Sequence, residues 1–271
     1  MKTLTLAEKL YGPRVNEGKQ ALLSILFELV KGLNLQVKVS EVSLRGWVSV
    51  QIDGQDMDVA ENLVERVIGV TLGRLGAHHP SMNVKGRIVE GVEKDLGIYV
   101  DVGITEPESV DAFIPLSVLR RQLADGKNLG VEAVKELWSL QNRLPVYVHL
   151  TTVDADAMRV EAELSERQLS LFDEWVNVGL DRVLITGTTV RRVKETMKLT
   201  HHLGDIVKID RLGLLESSAV CKMGTDAPGI IHAVGKVLPD VSLRSFRPSK
   251  ISKVLGKNDI VERCTIGLVG G

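Results

Sequence analysis

Residues 97–103 read Gly-Ile-Tyr-Val-Asp-Val-Gly, and their pattern indicates the fold of the middle of the chain. Apolar and polar side chains alternate along it, which is the period-2 pattern of a β-strand with one buried face. A helix is predicted over residues 131–140. The five predicted strands are residues 84–90, 97–103, 111–116, 145–153 and 158–165. Five short strands, with a helical interruption between the third and fourth, predict a closed barrel of the OB type over residues 83–167.

The segment before the barrel predicts a ferredoxin-like domain over residues 1–80. Its predicted strands are residues 3–7, 35–39, 47–52 and 70–72, and its helices cover residues 21–30 and 59–67. The order strand, helix, strand, strand, helix, strand is typical of ferredoxin-like domains. Residues 73–81 contain glycines and a His-His-Pro sequence without periodicity, so they are predicted to be a linker.

The same order of elements recurs after the barrel. The capping-box-like sequence at residues 165–168 predicts a connecting helix over residues 165–180, with 168–181 as the connecting unit. The next strands are residues 182–185, 205–209, 216–222 and 241–246, with helices over 188–203 and from a cap at Thr225 or Asp226 to Leu238. They predict a second ferredoxin-like domain over residues 182–248, so the whole chain is expected to be an α+β protein. The tail, residues 249–271, is left unassigned, with a possible edge strand at 264–269.

The composition of the 271-residue chain narrows the class of protein. A hydrophobic fraction of 44% is enough for buried cores and excludes wholesale disorder. No window approaches the ~18 unbroken apolar residues of a membrane-spanning helix, and the N-terminus lacks a signal segment. Cys221 and Cys264 are the only cysteines, too few for a disulfide framework or a four-thiolate zinc site. We therefore expect a soluble cytoplasmic protein that does not contact membranes.

Charge is distributed unevenly although the net charge is only −1. Residues 83–167 carry ten Lys/Arg against fifteen Asp/Glu, for −5. Residues 182–271 carry fifteen Lys/Arg against eight Asp/Glu, for +7. This asymmetry favours the C-terminal third as the place where a polyanion would bind.

The predicted helix over residues 188–203 concentrates these positive charges. Its basic side chains are Arg191, Arg192, Lys194, Lys198, His201 and His202. The members that recur at three- and four-residue steps are Arg191, Lys194, Lys198 and His202, and such steps place side chains on one side of a helix. The helix start at residues 187–189 is also predicted to hold phosphates through backbone N–H groups. The alternative is an ordinary solvated helix face.

The barrel strands resemble those of the S-one RNA-binding domain, a version of the OB-fold named for a ribosomal protein. The matching stretches are residues 86–89, 97–103, 112–119 and 153–165. The resemblance implies that exposed aromatic rings on the second and third strands stack on RNA bases, and Tyr99 and Phe113 occupy these positions. Lys85, Arg87 and Arg159 on neighbouring strands would supply positive charge. The alternative is that both rings belong to the core.

Two longer sequence stretches, residues 185–193 and 220–229, are similar to stretches in an archaeal protein family of unknown function. This similarity runs nearly end to end and implies no activity. Function has to be argued from the residues themselves.

Signals for catalysis are weak. His78-His79 and His201-His202 are adjacent pairs rather than metal-binding pairs one helical turn apart. Phosphate-loop, dinucleotide and nucleophile-elbow motifs do not occur, and Cys221 lies in an apolar strand. We therefore expect no enzymatic activity, no cofactor and no metal.

The expected function is that of a non-catalytic RNA-binding protein in translation or RNA processing that contacts structured or ribosomal RNA. The basic helix would supply affinity, and the barrel would supply stacking. The alternative is a protein-interaction scaffold, in which the acidic barrel binds a basic partner protein. Its candidate contacts are Glu132, Glu136, Asp154 and Asp156. The oligomeric state is left open.

Overall fold

The computed structural model describes residues 1–76, 81–91 and 95–256. It is a mixed α+β protein with three β-sheets, as the sequence predicts. None of the helices in these ranges is long and apolar enough to cross a membrane.

The N-terminal unit is a three-stranded sheet covered by two helices. Its elements are β1 (Lys2–Lys9), α1 (Val15–Leu29), β2 (Leu35–Val42), β3 (Trp47–Gly54) and α2 (Met57–Val67). The strands are antiparallel in the order β1-β3-β2. Leu26 of α1 and Val64 of α2 pack against Leu6 and Val50 of the sheet, which closes this core.

The fourth strand predicted for this unit is reduced to a single antiparallel bridge between Leu6 and Val70. The chain then turns into β4 (Gly73–Arg74), which pairs in parallel with a strand of the barrel. Residues 73 and 74, predicted to be linker, therefore belong to the barrel sheet. Residues 77–80 of that linker, with the His78-His79 pair, lie outside the described residues.

The middle unit contains the closed five-stranded barrel that the alternating runs predict. Its strands are β5 (Met82–Val89), β6 (Gly97–Glu106), β7 (Val110–Pro115), β8 (Pro145–Asp154) and β9 (Arg159–Leu164). They pair in the cyclic order β5-β6-β7-β9-β8-β5, with β7 and β9 parallel and the other pairs antiparallel. Inward positions such as Ile98, Val100, Ala112 and Ile114 are buried.

Three helices flank the barrel. The helix predicted between the third and fourth strands is α4 (Val131–Trp138), and it is preceded by α3 (Leu116–Leu123), which the sequence analysis missed. The connecting helix is α5 (Glu166–Val178). Its first turn is capped as predicted, because the hydroxyl of Ser165 accepts a hydrogen bond from the backbone N–H of Gln168.

The C-terminal unit is a four-stranded antiparallel sheet in the order β11-β12-β10-β13. Its elements are β10 (Arg182–Thr186), α6 (Val190–Leu199), β11 (Ile206–Arg211), β12 (Glu216–Cys221), α7 (Ala227–Val237) and β13 (Ser242–Phe246). Asp226 rather than Thr225 caps α7. The unassigned tail begins with α8 (Pro248–Leu255), and the possible edge strand at 264–269 lies outside the described residues.

The two faces of the C-terminal sheet pack against different partners. Val183 and Ile185 of β10 face α6 and α7, where they join Val193 in one core. Leu184 of β10 and Phe246 of β13 face the other way and join the core of the barrel and its helices. The basic helix α6 and the barrel therefore lie on opposite sides of this sheet.

Candidate nucleic-acid interface

Tyr99 and Phe113 form a cross-strand aromatic pair on the outside of the barrel. They are directly opposite each other on β6 and β7, and their ring centroids are 4.9 Å apart. Both side chains are half-buried, whereas the residues on either side of each are buried. The rings therefore project outward, as predicted, and the alternative that they fill the barrel core does not fit this placement.

Two glycines let these rings lie close to the backbone. A Cβ atom at Gly97 would lie 2.7 Å from the ring of Phe113. A Cβ atom at Gly91 would lie 1.8 Å from the ring of Tyr99. Any side chain at either position would push the rings away, so the aromatic platform depends on both glycines.

A cavity of about 520 Å³ adjoins the ring of Tyr99, and we call it the barrel groove. Its walls come from β5 and β6 of the barrel, from α4, and from Ser242 and Arg244 of β13. Arg244 lies on the sheet face that looks toward the barrel, two residues before Phe246. The groove therefore joins an aromatic ring of one unit to a guanidinium group of another.

Most charges around the barrel groove are paired. Lys135 forms an ion pair with Glu132 at 2.6 Å, and Lys250 of α8 forms one with Glu136 at 2.6 Å. The hydrogen bond from Lys250 lowers the pKa of Glu136. The described part of the chain offers Arg244 no ion pair, so this exposed guanidinium is the groove's available cation.

The basic face of α6 is smaller than predicted. Arg191, Lys194 and Lys198 are exposed on the side opposite the buried Val193 and Met197. Arg191 is engaged by Glu195 at 2.9 Å. Arg192 is exposed as well, but at a 100° step from Arg191 it points away from that side.

His202 is a correction to the predicted basic face. The helix ends at Leu199, and His201 adopts a positive φ of 61°, so His202 is no longer on the helix. Its Nδ1 atom lies 2.9 Å from a carboxylate oxygen of Asp205. The row of basic side chains along one side of α6 therefore ends at Lys198, one residue of the row earlier than the spacing predicts.

The predicted phosphate site at the start of α6 has several of its backbone donors already engaged. The backbone N–H groups of Gly187 and Thr188 both donate to the carbonyl of Leu215, at 2.9 and 3.1 Å. The backbone N–H of Arg192 donates to the hydroxyl of Thr189. These donors are occupied, so this loop does not offer them to a phosphate.

The C-terminal third, which the charge asymmetry favours for binding a polyanion, contains further ion pairs. Lys208 contacts Asp210 at 3.1 Å, and Arg247 contacts Asp181 at 3.6 Å. Ion pairs of this kind neutralise cations that a polyanion would otherwise contact. Lys257, one of the fifteen Lys and Arg residues counted over 182–271, lies outside the described residues.

The prediction that Lys85 and Arg87 supply positive charge to RNA is wrong, because both side chains are held inside the protein. Arg87 is 0% exposed, and its Nη2 atom lies 2.7 Å from Oε2 of Glu8. Lys85 binds the other oxygen of Glu8 at 2.6 Å. Burial alone would raise the pKa of Glu8, but the charges of Arg87 and Lys85 outweigh burial and lower it. Neither cation is free to contact RNA.

This buried cluster joins all three units, and we call it the junction network. Glu216 of the C-terminal sheet lies 3.6 Å from Arg87 and accepts a hydrogen bond of 2.5 Å from the Tyr11 hydroxyl. Burial raises the pKa of Glu216 and also that of Tyr11. The sequence analysis did not identify Glu8, Tyr11 or Glu216 as site residues. The only signal of each is that a charged or polar side chain stands within an apolar strand or beside a helix.

A second set of ion pairs binds the N-terminal unit to the barrel. Asp101 of β6 is 0% exposed and receives Lys9, the Nε atom of Arg45 at 3.1 Å and the indole N–H of Trp47 at 3.2 Å. Arg45 also binds Asp111 at 2.6 Å. The outer face of the barrel is therefore covered on this side.

The described residues hold no cluster of three His, Cys, Asp or Glu side chains suited to a metal ion. Cys221 is buried in β12, and burial raises the pKa of its thiol to about 11. The thiol is therefore protonated at neutral pH and is a poor nucleophile.

Comparison with known proteins finds a similarity for each of the two outer units. The fold defines a class of mixed α+β proteins in which a closed barrel lies between two sheet-and-helix units. Residues 3–70 match the DUF2110 N-terminal domain, and residues 180–243 match the DUF2110 C-terminal domain. Two stretches of the chain are therefore similar to the two domains of one domain-of-unknown-function family, and the barrel lies between the matched ranges.

Other comparisons add little. A search of curated proteins finds no match. Among solved structures, an uncharacterized protein from Methanocaldococcus jannaschii is similar with 16% identity and a TM-score of 0.22. The similarity covers 33% of this chain and 95% of that chain.

Proposed function

We propose that this protein binds single-stranded RNA, with Tyr99 and Phe113 as the platform on which bases stack. The observation that carries the proposal is the outward, half-exposed aromatic pair on β6 and β7. Every base has a π-face, so a ring pair of this kind accepts bases with little regard to sequence. We propose a non-catalytic role for it in translation or RNA processing in the cytoplasm.

The strand order of the barrel supports the choice of this face. Numbered from β5, the strands pair as 1-2-3-5-4-1 with the third and fifth parallel, and we interpret this as an OB-fold of the S-one type. OB-folds bind oligonucleotides on strands 2 and 3. Tyr99 and Phe113 lie on those two strands.

We interpret the outer units as ferredoxin-like domains. In the C-terminal unit the strands of the βαββαβ sequence have the spatial order 2-3-1-4, with both helices on one face. In the N-terminal unit Val70 stands where the fourth strand would pair with β1. Their role in the proposed function is to supply cations beside the barrel, and Arg244 lines the same groove as Tyr99.

The basic face of α6 is proposed as a separate, weaker contact to phosphates. Lys194 and Lys198 are exposed and have no ion pair among the described residues. Phosphate contacts of this kind add affinity that does not depend on base sequence and that falls as salt rises. Because α6 faces away from the barrel, its contribution should add independently to that of the rings.

The test is a fluorescence-anisotropy titration of a labelled single-stranded oligouridine with the wild type and Y99A/F113A. Each stacked base contributes roughly 1–3 kcal/mol, so losing both rings should weaken binding by at least about tenfold. Phe27→Ala is the matched control, because this ring is 56% exposed on α1, away from the barrel groove. Unchanged affinity in Y99A/F113A would refute the proposal.

A second pair of variants tests α6. K194E/K198E should weaken binding modestly and flatten its dependence on salt, whereas Y99A/F113A should leave the salt dependence nearly intact. Equal salt dependence in K194E/K198E and the wild type would remove α6 from the interface.

The alternative scaffold function has less support from the acidic side chains. Glu132 and Glu136 are held by lysines, and Asp154 accepts hydrogen bonds from the backbone of Asp156 and Ala157. A basic partner protein would have to displace these contacts. Co-purification separates the two functions, since nuclease treatment should release partners held through RNA and leave direct protein partners bound.

A further inference from the structure

A second cavity, of about 280 Å³, lies where the three units meet, and we call it the junction pocket. Its apolar wall comes from α1, the end of α2 and the loop between β11 and β12. Its polar side chains are Glu8, Lys85, Tyr147, Arg167 and Arg211. Not one of these residues lines the barrel groove, so the two sites are separate.

The carboxylate in the junction pocket is already satisfied. One oxygen of Glu8 accepts from Lys85 at 2.6 Å. The other accepts from Arg87 at 2.7 Å and from the backbone N–H of Leu214 at 2.8 Å. Glu8 therefore neither repels an incoming anion strongly nor competes for further cations.

Two guanidinium groups in the pocket are uncompensated. Arg167 and Arg211 are exposed, and the described chain gives neither of them a carboxylate partner. The Cζ atom of Arg167 lies over the ring of Tyr147, 3.9 Å from the ring centroid. Stacking holds the guanidinium in place while its in-plane N–H donors stay available.

We propose that the junction pocket binds a phosphate monoester, with Arg167 and Arg211 as the ligands of the phosphate. A phosphate monoester carries close to two negative charges at neutral pH, which matches the two unpaired guanidinium groups. Arginine presents parallel N–H donors that fit phosphate oxygens in a bidentate manner. The apolar wall beside these donors suits the organic part of the monoester.

The probe is uridine 5′-monophosphate, titrated into the full chain by calorimetry, with uridine and inorganic phosphate in parallel. We expect the monophosphate to bind, uridine not to bind at the same concentration, and inorganic phosphate to displace the monophosphate. R167A/R211A should raise the dissociation constant at least about tenfold, because two charge-assisted contacts are lost. Both side chains are exposed, so melting temperature should stay at the wild-type value.

The matched control is K222A/K253A, which removes two exposed cations outside the pocket and should bind as the wild type does. Y99A/F113A should also keep its affinity for the monophosphate, which distinguishes this site from the proposed RNA platform. The proposal is overturned if the monophosphate gives no binding, if R167A/R211A binds it unchanged, or if K222A/K253A loses as much affinity.

Discussion

The outer surface of the barrel has two sides, one covered by the N-terminal unit and one accessible at the barrel groove. Tyr99 and Asp101 are two residues apart on β6, so both point outward. Asp101 is completely buried beneath the N-terminal unit, where Lys9 and Arg45 neutralise it. Tyr99 stays half-exposed at the barrel groove. The strand pleat determines which side chains point out of the barrel. The neighbouring units determine which of those side chains are exposed to solvent.

The covered side should carry the larger share of stability. Arg87→Ala leaves Glu8 and Glu216 buried without their shared cation, and losing one member of a buried ionic cluster costs about 3–5 kcal/mol. Urea unfolding of the variant and the wild type measures this loss. A loss below about 1 kcal/mol would mean that the junction network does not hold the units together.

A smaller effect is expected from filling space beside the same network. A Cβ atom at Gly213 would lie 2.0 Å from Glu216 Oε2 and 2.9 Å from Arg87 Nη2. Gly213→Ala should therefore destabilise the protein by about 1–3 kcal/mol in urea unfolding, as overpacking does. Gly204→Ala is the matched control, since nothing lies within 4 Å of its Cβ position. Equal stability of the two variants would contradict the close packing.

The open side should be less sensitive. Tyr99→Ala removes a half-exposed ring and its contact with Phe113, for which a loss of about 1 kcal/mol is expected. The same urea titration measures it. If Tyr99→Ala costs as much stability as Arg87→Ala, the ring is a core residue rather than a binding platform, and the contrast between the two sides fails.

The smallest effect concerns pH. Burial raises the pKa of Glu216, so the folded protein holds this proton at pH values where the unfolded chain has released it. Stability from the protonated form is present at low pH and decreases as pH rises from the unfolded value of about 4.5 through the folded pKa. Relative to Glu216→Gln, the wild type should lose stability over this interval in thermal unfolding. A parallel pH dependence of the two proteins would contradict the raised pKa.

Local patterns in the sequence predicted most of the sheets. Alternation located the barrel strands to within a few residues, and Ser165 and Asp226 marked helix starts through their capping side chains. The short helices α3 and α8 were missed, and neither begins with a side-chain cap that would mark its start. Residues 70–74 were misassigned in part, since the choice between pairing with β1 and pairing with β6 depends on tertiary contacts.

The candidate site was predictable only in part. Tyr99 and Phe113 follow from strand alternation, because each stands between inward apolar residues. The burial of Arg87 could not be predicted, since its partners Glu8 and Glu216 are 79 residues before it and more than a hundred after it. Sequence spacing carries no information on such distant contacts, and a charged residue on a strand usually faces solvent.

Because α6 and the barrel groove lie on opposite sides of one sheet, an oligonucleotide needs a minimum length to contact both. If the protein binds RNA as proposed, a short oligonucleotide can occupy the rings or the helix, but a single molecule has to pass around an edge strand of the sheet, β13 or β11, to reach the second patch. Affinity should then increase abruptly once the oligonucleotide is long enough to bridge that edge, and below this size two molecules should bind per protein chain.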